Sequence, residues 1–124
     1  MKIAVIAHDG KKAEMVKFLM DHITLFRRKD IDIIATGNTG SHVIQAGLQV
    51  ERVQSGPLGG DAQIAAQVTE GKIGMVLFFR DPLDKHPHEP DINMLMRLCD
   101  VHNIPLGTNP AAGKLMLKGL EFIS

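Results

Sequence analysis

Five short apolar runs rich in β-branched residues recur along this chain, and they constrain its fold more than any other feature. They are Lys2–Ala7, Ile31–Ala35, Gln49–Val53, Met75–Phe79 and Pro105–Gly107. Three are almost continuously apolar, as strands are when a sheet is covered on both faces. Helical patterns separate them. Val16, Leu19, Met20 and Ile23 stand at i, i+3, i+4 and i+7, and so do Ile92, Leu95, Met96 and Cys99. Ile64, Ala65 and Val68 form a shorter stripe, and residues 111–118 are expected to make the last helix. The alternation β-α-β-α-β-α-β-α-β-α predicts an α/β fold: a single-domain, doubly wound (Rossmann-like) five-stranded parallel sheet flanked by helices. The 124 residues form one expected domain, 1–124, without repeats or linkers, and that length supports a core without staples.

The polar residues fall unevenly. His8-Asp9-Gly10-Lys11-Lys12 follows the first strand and Thr36-Gly37-Asn38-Thr39-Gly40 the second. Ser55-Gly56-Pro57-Leu58-Gly59-Gly60-Asp61 follows the third. After the fourth come Arg80-Asp81-Pro82 and His86-Pro87-His88-Glu89-Pro90-Asp91, and after the fifth Thr108-Asn109-Pro110. Every polar, glycine-rich cluster thus lies at the carboxyl end of an expected strand, the edge where open α/β sheets bind ligands.

Two of these loops suit an anion. Glycines in the Thr36–Gly40 loop let successive N–H groups converge, Thr36 and Thr39 add hydroxyls, and the helix that follows adds its positive end. Ser55-Gly56 supplies a second donor set, and Lys12 is the expected cation. The plain alternative is that these are turn and cap residues. Asp61 has an equally plain reading as a helix N-cap. But Asp9, Asp61, Asp81 and Asp91 crowd one edge, an arrangement tolerated where acid–base chemistry or a divalent metal is at work. No tight metal-ligand spacing such as His-x-x-x-His occurs, so no metal is expected. His8 and His88 are the histidines with carboxylate company, and Pro82, Pro87 and Pro90 stiffen the loop that carries His88 and Asp91. His22, His42 and His102 read as surface or capping residues.

Other classes fit poorly. A formal net charge of zero argues against a general nucleic-acid or anionic-membrane binder, and no apolar run reaches the length of a membrane span. A lone cysteine, Cys99, reads as a small buried hydrophobe in a reducing, cytoplasmic setting. The apolar start reads as a strand rather than a leader. There is no Gly-x-Ser-x-Gly elbow, Walker loop or Gly-x-Gly-x-x-Gly fingerprint.

Ala7-His8-Asp9, the Ala35–Gly40 stretch, Ser55–Asp61, Phe78-Phe79-Arg80-Asp81-Pro82-Leu83, Pro87-His88-Glu89-Pro90-Asp91 and Asn103-Ile104-Pro105 together resemble the methylglyoxal synthase family. The resemblance runs through essentially the whole chain. Ser-Gly-Pro-Leu-Gly-Gly-Asp and Pro-His-Glu-Pro-Asp are its specific segments; the Thr-Gly loop alone is shared with wider methylglyoxal-synthase-like regulatory and cyclohydrolase domains. The resemblance implies conversion of dihydroxyacetone phosphate to methylglyoxal and inorganic phosphate, with no cofactor or metal. It implies Asp61 as the base, with His88 at the substrate oxygens and Asp91 orienting it. It places Asp9 among the catalytic carboxylates, His8 and Asp81 in the pocket wall, and Lys12, Thr36, Asn38, Thr39, Gly40, Ser55 and Gly56 on the phosphate. It further implies a homohexamer inhibited by inorganic phosphate. Asn38 stands where many members carry threonine, Arg80 where some carry an aromatic residue, and the chain is shorter at both ends than long members. A phosphate-binding regulatory module would keep the Thr-Gly loop but need neither Asp61 nor His88 with Asp91. A metal-dependent phosphate-ester hydrolase is the third reading. A receiver domain would want an acidic pair after the first strand, which His8-Asp9 fits poorly.

Overall fold

The five runs become five parallel strands. In a computed structural model that describes residues 1–83 and 89–121, residues 89–91 and 121 by backbone alone, the strands are β1 (Lys2–Ala7), β2 (Asp32–Ala35), β3 (Glu51–Arg52), β4 (Met75–Phe79) and β5 (Leu106–Gly107). Among the described residues six α-helices accompany them: α1 (Lys12–Asp21), α2 (Ile23–Phe26), α3 (Gly37–Gln45), α4 (Gly60–Thr69), α5 (Glu89–Val101) and α6 (Pro110–Glu121). Short 3₁₀ turns at Asp9–Lys11 and Gly56–Leu58 lead into α1 and α4.

The strand order is β3-β2-β1-β4-β5. The chain steps outward from β1 to β3, then crosses to the other side of β1 to lay down β4 and β5. The topological switch point therefore lies between the carboxyl ends of β1 and β4. The pleat divides the core into two. Ile3, Val5, Ala7, Leu77 and Phe79 face Met15, Phe18 and Leu19 of α1, Val43 of α3 and Leu117 of α6. Ala4, Ile6, Val76 and Phe78 face Ile64, Ala65 and Val68 of α4 and Ile92, Leu95 and Cys99 of α5. Strands with a helix layer on each face explain why β1 and β4 read as unbroken apolar runs.

Three local expectations need correction, and one alternative reading falls. The third strand is confined to Glu51–Arg52, because this edge strand pairs only at Ile34–Glu51 and Ala35–Arg52. The stripe from Val16 to Ile23 does not describe one helix. Its fully buried side chains are Met15, Phe18 and Leu19, with Val16 and Met20 only partly covered. α1 ends at Asp21, and His22 accepts the role of hinge, its Nδ1 2.8 Å from the Phe18 carbonyl, so Ile23 opens α2. The last helix runs from Pro110 to Glu121. Proline at the first helical position lacks only an N–H that would have no partner there, and Asn109 Oδ1 accepts the Ala112 N–H at 2.9 Å. Finally, Asp61 is not the cap of α4. Gly59 holds that place with φ of 107°, leaving Asp61 inside the first turn.

Candidate active site

Two clusters of the expected residues form along the carboxyl edge. The first sits at the switch point. The His8 backbone N–H donates to the Phe79 carbonyl (3.2 Å), which continues the β1–β4 pairing one residue past the strand. The His8 ring accepts at Nδ1 from the Asp81 backbone N–H (2.8 Å) and meets Phe78 edge-on, centroids 5.1 Å apart. An imidazole that accepts at Nδ1 carries its neutral-form proton on Nε2. His8 is thus fixed as an Nε2–H donor, and it is buried. Asp81 turns back over the loop. Its Oδ1 accepts the Leu83 N–H, and its Oδ2 lies 2.8 Å from where a β-carbon on Gly10 would stand. Asp9 and Lys12 bind each other across the 3₁₀ turn; the lysine is mostly covered and the aspartate almost fully exposed.

The second cluster joins β2, β3 and α4. Thr36 caps α3 in position but not in chemistry, since its buried side chain makes no capping hydrogen bond. Ser55 stands likewise ahead of the Gly56 turn. Neither hydroxyl is spent on a cap, and the Ser55 backbone lies against Gly37 at the positive end of α3. Thr39 is buried, and its Oγ1 makes no hydrogen bond among the described residues. A buried hydroxyl in that condition costs about 1–3 kcal/mol. Gly40 is a packing glycine: its N–H goes to the Thr36 carbonyl (2.7 Å), and a β-carbon there would press on the Arg52 side chain at 2.7 Å.

The two loops touch because they are glycine-lined. The Gly37 N–H donates to the Gln54 carbonyl (3.0 Å), and a β-carbon on Gly37 would stand 3.0 Å from the Ser55 nitrogen. Asp61 completes the cluster. It is 1 % exposed, and its carboxylate oxygens come within 3.3 and 3.4 Å of a β-carbon built on Gly56. The carboxylate therefore lies directly over Gly56, where even a methyl group would crowd it.

Asp91 falls at the start of α5 with only its backbone described. His88, expected as the second proton-transfer group, lies outside the described residues, as does His86. Among the described residues no three His, Cys, Asp or Glu side chains stand close enough to hold a metal ion. A cavity of about 500 Å³ is lined by Phe79 and by Lys11, Arg80 and Asn109 of the clusters after β1, β4 and β5, among others, but by none of the residues expected to be catalytic or to bind substrate. Sequence reasoning missed Gln63, whose Oε1 accepts the Gln54 N–H at 2.8 Å and so fastens α4 to the strap between the two loops. A glutamine in mid-helix carries no sequence signal of such a role.

The doubly wound sheet, hydroxyl-lined loops at one helix start and a buried carboxylate beside them define an α/β domain shaped for acid–base chemistry on a small anion. Known proteins narrow that class. The family model described as the MGS-like domain matches residues 14–108. Methylglyoxal synthases of Bacillus mycoides (strain KBAB4) and Bacillus anthracis (strain CDC 684 / NRRL 3495) are each 51 % identical over 122 residues, covering 98 % of this chain and 92 % of theirs. The crystal structure of a methylglyoxal synthase from Elizabethkingia anophelis NUHP1 superposes with a TM-score of 0.87 at 38 % identity, covering 94 % of this chain and 76 % of that one. The chain belongs to the methylglyoxal synthase family.

Proposed function

We infer that this protein is a carbon–oxygen lyase that converts dihydroxyacetone phosphate to methylglyoxal and inorganic phosphate. The observation that carries the reading is the Asp61 carboxylate, buried over Gly56 in the loop that meets the start of α3, in a chain half identical to methylglyoxal synthases over nearly its whole length. Thr36, Asn38, Thr39, Ser55, Gly56 and Lys12 hold the phosphate, with Gly40 shaping the turn. Asp61 takes a proton from the hydroxymethyl carbon. The resulting enediolate carries charge on two oxygens, met by His8 as an Nε2–H donor and by His88. Asp91 orients His88, and Asp9 and Asp81 set the charge of the wall. A carboxylate base paired with a neutral imidazole is a working solution for enediolates in triosephosphate isomerase.

The two reactions share an intermediate and then diverge. Isomerisation keeps the bond from carbon to phosphate oxygen near the enediolate plane. Elimination needs that bond across the plane, where its electrons overlap the π system and leave with phosphate. Loops that grip phosphate from the β2–β3 side while the base acts from α4 hold the ester bond out of plane, and their fixed donors stabilise the departing phosphate. All the groups in this scheme are side chains and backbone amides, so it calls on no metal or cofactor.

The working unit is the whole chain, 1–124, as one domain in the cytoplasm, assembled as a homohexamer and inhibited by its product phosphate. No helix among the described residues is long and apolar enough to cross a membrane. Leu58 and Leu83, exposed at the carboxyl edge, and Val101 and Leu115, exposed on α5 and α6, support assembly, because burial against other copies removes such surface from water.

The test incubates purified protein with dihydroxyacetone phosphate and EDTA and measures methylglyoxal and phosphate together, with Asp61→Asn alongside. Equimolar products are expected from the wild type. Turnover should fall at least about 100-fold in the variant, the scale of a lost general base, while phosphate binding persists. Full activity in Asp61→Asn removes that residue as base. Loss of wild-type activity with EDTA favours the metal-dependent hydrolase. Phosphate binding without either product favours the regulatory module.

A further inference from the structure

We propose that Gln63 is a positioning residue that fixes the phosphate-holding loops relative to the base, and so directs the enediolate toward elimination instead of reprotonation. This rests on the lyase reading above.

The argument begins at the edge of the sheet. β3 pairs with β2 on one side only, and its ladder closes with the Val53 N–H on the Ala35 carbonyl (2.9 Å). The next N–H, that of Gln54, finds its partner outside the sheet, as it must where an edge strand has no further strand neighbour. Gln63 Oε1 accepts it at 2.8 Å from nine residues downstream. The carbonyl of the same residue, Gln54, accepts the Gly37 N–H at the start of α3 (3.0 Å). The following carbonyl, of Ser55, accepts the N–H of Gly60, the first residue of α4 (2.9 Å). One stretch of backbone is therefore held at three points. α3, which begins the first phosphate loop, holds it through Gly37. α4, which carries Asp61, holds it through Gly60 and through the Gln63 side chain. Between these points the chain runs directly into Ser55-Gly56, the second phosphate loop.

Gln63 lies two residues beyond Asp61 on the same helix, itself anchored by its N–H on the Gly59 carbonyl (3.0 Å). Its side chain converts the distance between base and phosphate loops from a property of a flexible edge into a property of a helix. Both Gln63 and Gln54 are exposed, so water can satisfy the Gln54 N–H if Gln63 is removed. Satisfying that N–H is therefore not what requires a side chain here; holding it in one place is. Looseness at this strap lets the phosphate swing toward the enediolate plane. There the carbon–oxygen bond no longer overlaps the π system, and the intermediate waits for a proton. Reprotonation at the carbon that lost its hydrogen returns dihydroxyacetone phosphate; reprotonation at the neighbouring carbon gives glyceraldehyde 3-phosphate. Neither path breaks the phosphate ester, so atoms and charge balance without a co-reactant.

The experiment compares wild type, Gln63→Met and Gln63→Glu in D₂O. Methionine keeps the length and loses the acceptor; glutamate keeps the acceptor. The measured quantity is the partition ratio: deuterated dihydroxyacetone phosphate plus glyceraldehyde 3-phosphate, over methylglyoxal. A net hydrogen bond of ordinary strength predicts a rise of about threefold to tenfold in Gln63→Met. Gln63→Glu is expected within about twofold of wild type by the same reasoning, since the ratio, unlike KM, is taken after the substrate is bound. A partition ratio unchanged in Gln63→Met overturns the proposal, and so does a Gln63→Glu ratio as high as that of methionine. If Gln63→Met melts early yet keeps the wild-type ratio, the residue is structural only and the proposal also fails. Wild-type protein that makes no methylglyoxal is a separate failure, that of the lyase reading itself.

Discussion

Gly60→Ala tests the tightest approach at any described glycine. A β-carbon built on Gly60 lands 1.9 Å from the Gln54 carbonyl oxygen, 2.8 Å from its carbon and 3.0 Å from the Ser55 carbonyl carbon. Non-bonded carbon atoms prefer about 3.5–4.0 Å, so the strap must retreat by more than about 1 Å. Every atom in the way is backbone, and no side chain can rotate aside. Overpacking costs about 1–3 kcal/mol, and the upper half of that range fits a backbone clash. Alanine also recovers up to about 1 kcal/mol of helix propensity over glycine, which leaves a net loss of about 2 kcal/mol. Unfolding entropy of about 2.1 cal/mol/K per residue gives about 260 cal/mol/K for a chain of this length. The melting temperature should then fall by about 8 °C, with phosphate affinity reduced in the same variant because the strap carries Ser55. Gly119→Ala is the paired control. That glycine lies in α6 with nothing within 4 Å of an added β-carbon, so the same substitution there should raise the melting temperature by about 2–4 °C. Scanning calorimetry at fixed protein concentration reads both, since assembly makes melting concentration-dependent. A Gly60→Ala protein that melts with the wild type and binds phosphate equally well refutes the close approach and the strap argument built on it.

Two further outcomes follow from buried groups. Thr39→Val removes a buried hydroxyl that has no hydrogen bond among the described residues; it should raise ligand-free stability by about 1 kcal/mol and weaken phosphate binding by about tenfold or more, read by melting curves and calorimetric titration, and an unchanged phosphate affinity removes Thr39 from the binding set. Burial pushes the Cys99 thiol up from 9.0 to about 11. The folded state therefore holds a proton that the unfolded chain releases, so the thiol's contribution is complete below pH 9 and is lost between about 9 and 11. Urea melts of wild type and Cys99→Ala should thus converge across that window, and curves that stay parallel contradict the assignment.

The faces and edges of the fold are legible in the sequence, and distances are not. The strands at Lys2–Ala7 and Met75–Phe79 match residue for residue because both are central and buried on two sides, which leaves a run of apolar residues with no polar interruption. The α4 and α5 stripes hold for the same reason: each helix covers one sheet face with one side of itself. The errors cluster where the environment is one-sided. Glu51 and Arg52 are both exposed on an edge strand, so apolar neighbours at Gln49–Val53 extend the pattern past the pairing. The Val16–Ile23 periodicity is real as spacing, but spacing alone does not register that a histidine closes the helix between its third and fourth members. Asn109-Pro110 was a readable start signal for α6, a side-chain acceptor followed by a residue with no N–H to satisfy.

The site divides along the same line. Which edge it occupies follows from strand order, and the hydroxyls and carboxylates could be enumerated before any coordinate was known. What distinguishes Asp61 from Asp9 is not legible. Both are aspartates near a glycine at a strand end, yet one is buried over Gly56 and the other is almost wholly exposed against Lys12. The difference arises because Gly59 takes φ of 107° and turns α4 so that its second residue, and not its cap, faces inward. Had Asp61 capped the helix, its oxygens would be engaged by first-turn N–H groups. Instead the cap has no side chain, and the carboxylate is presented to Gly56, in a loop proposed to hold phosphate. Gly59 is thus the residue that turns a cap sequence into a buried carboxylate, the proposed base. At a left-handed φ any β-carbon is strained, so the placement of Asp61, and with it the proposed chemistry, depends on a neighbour that itself has no functional group.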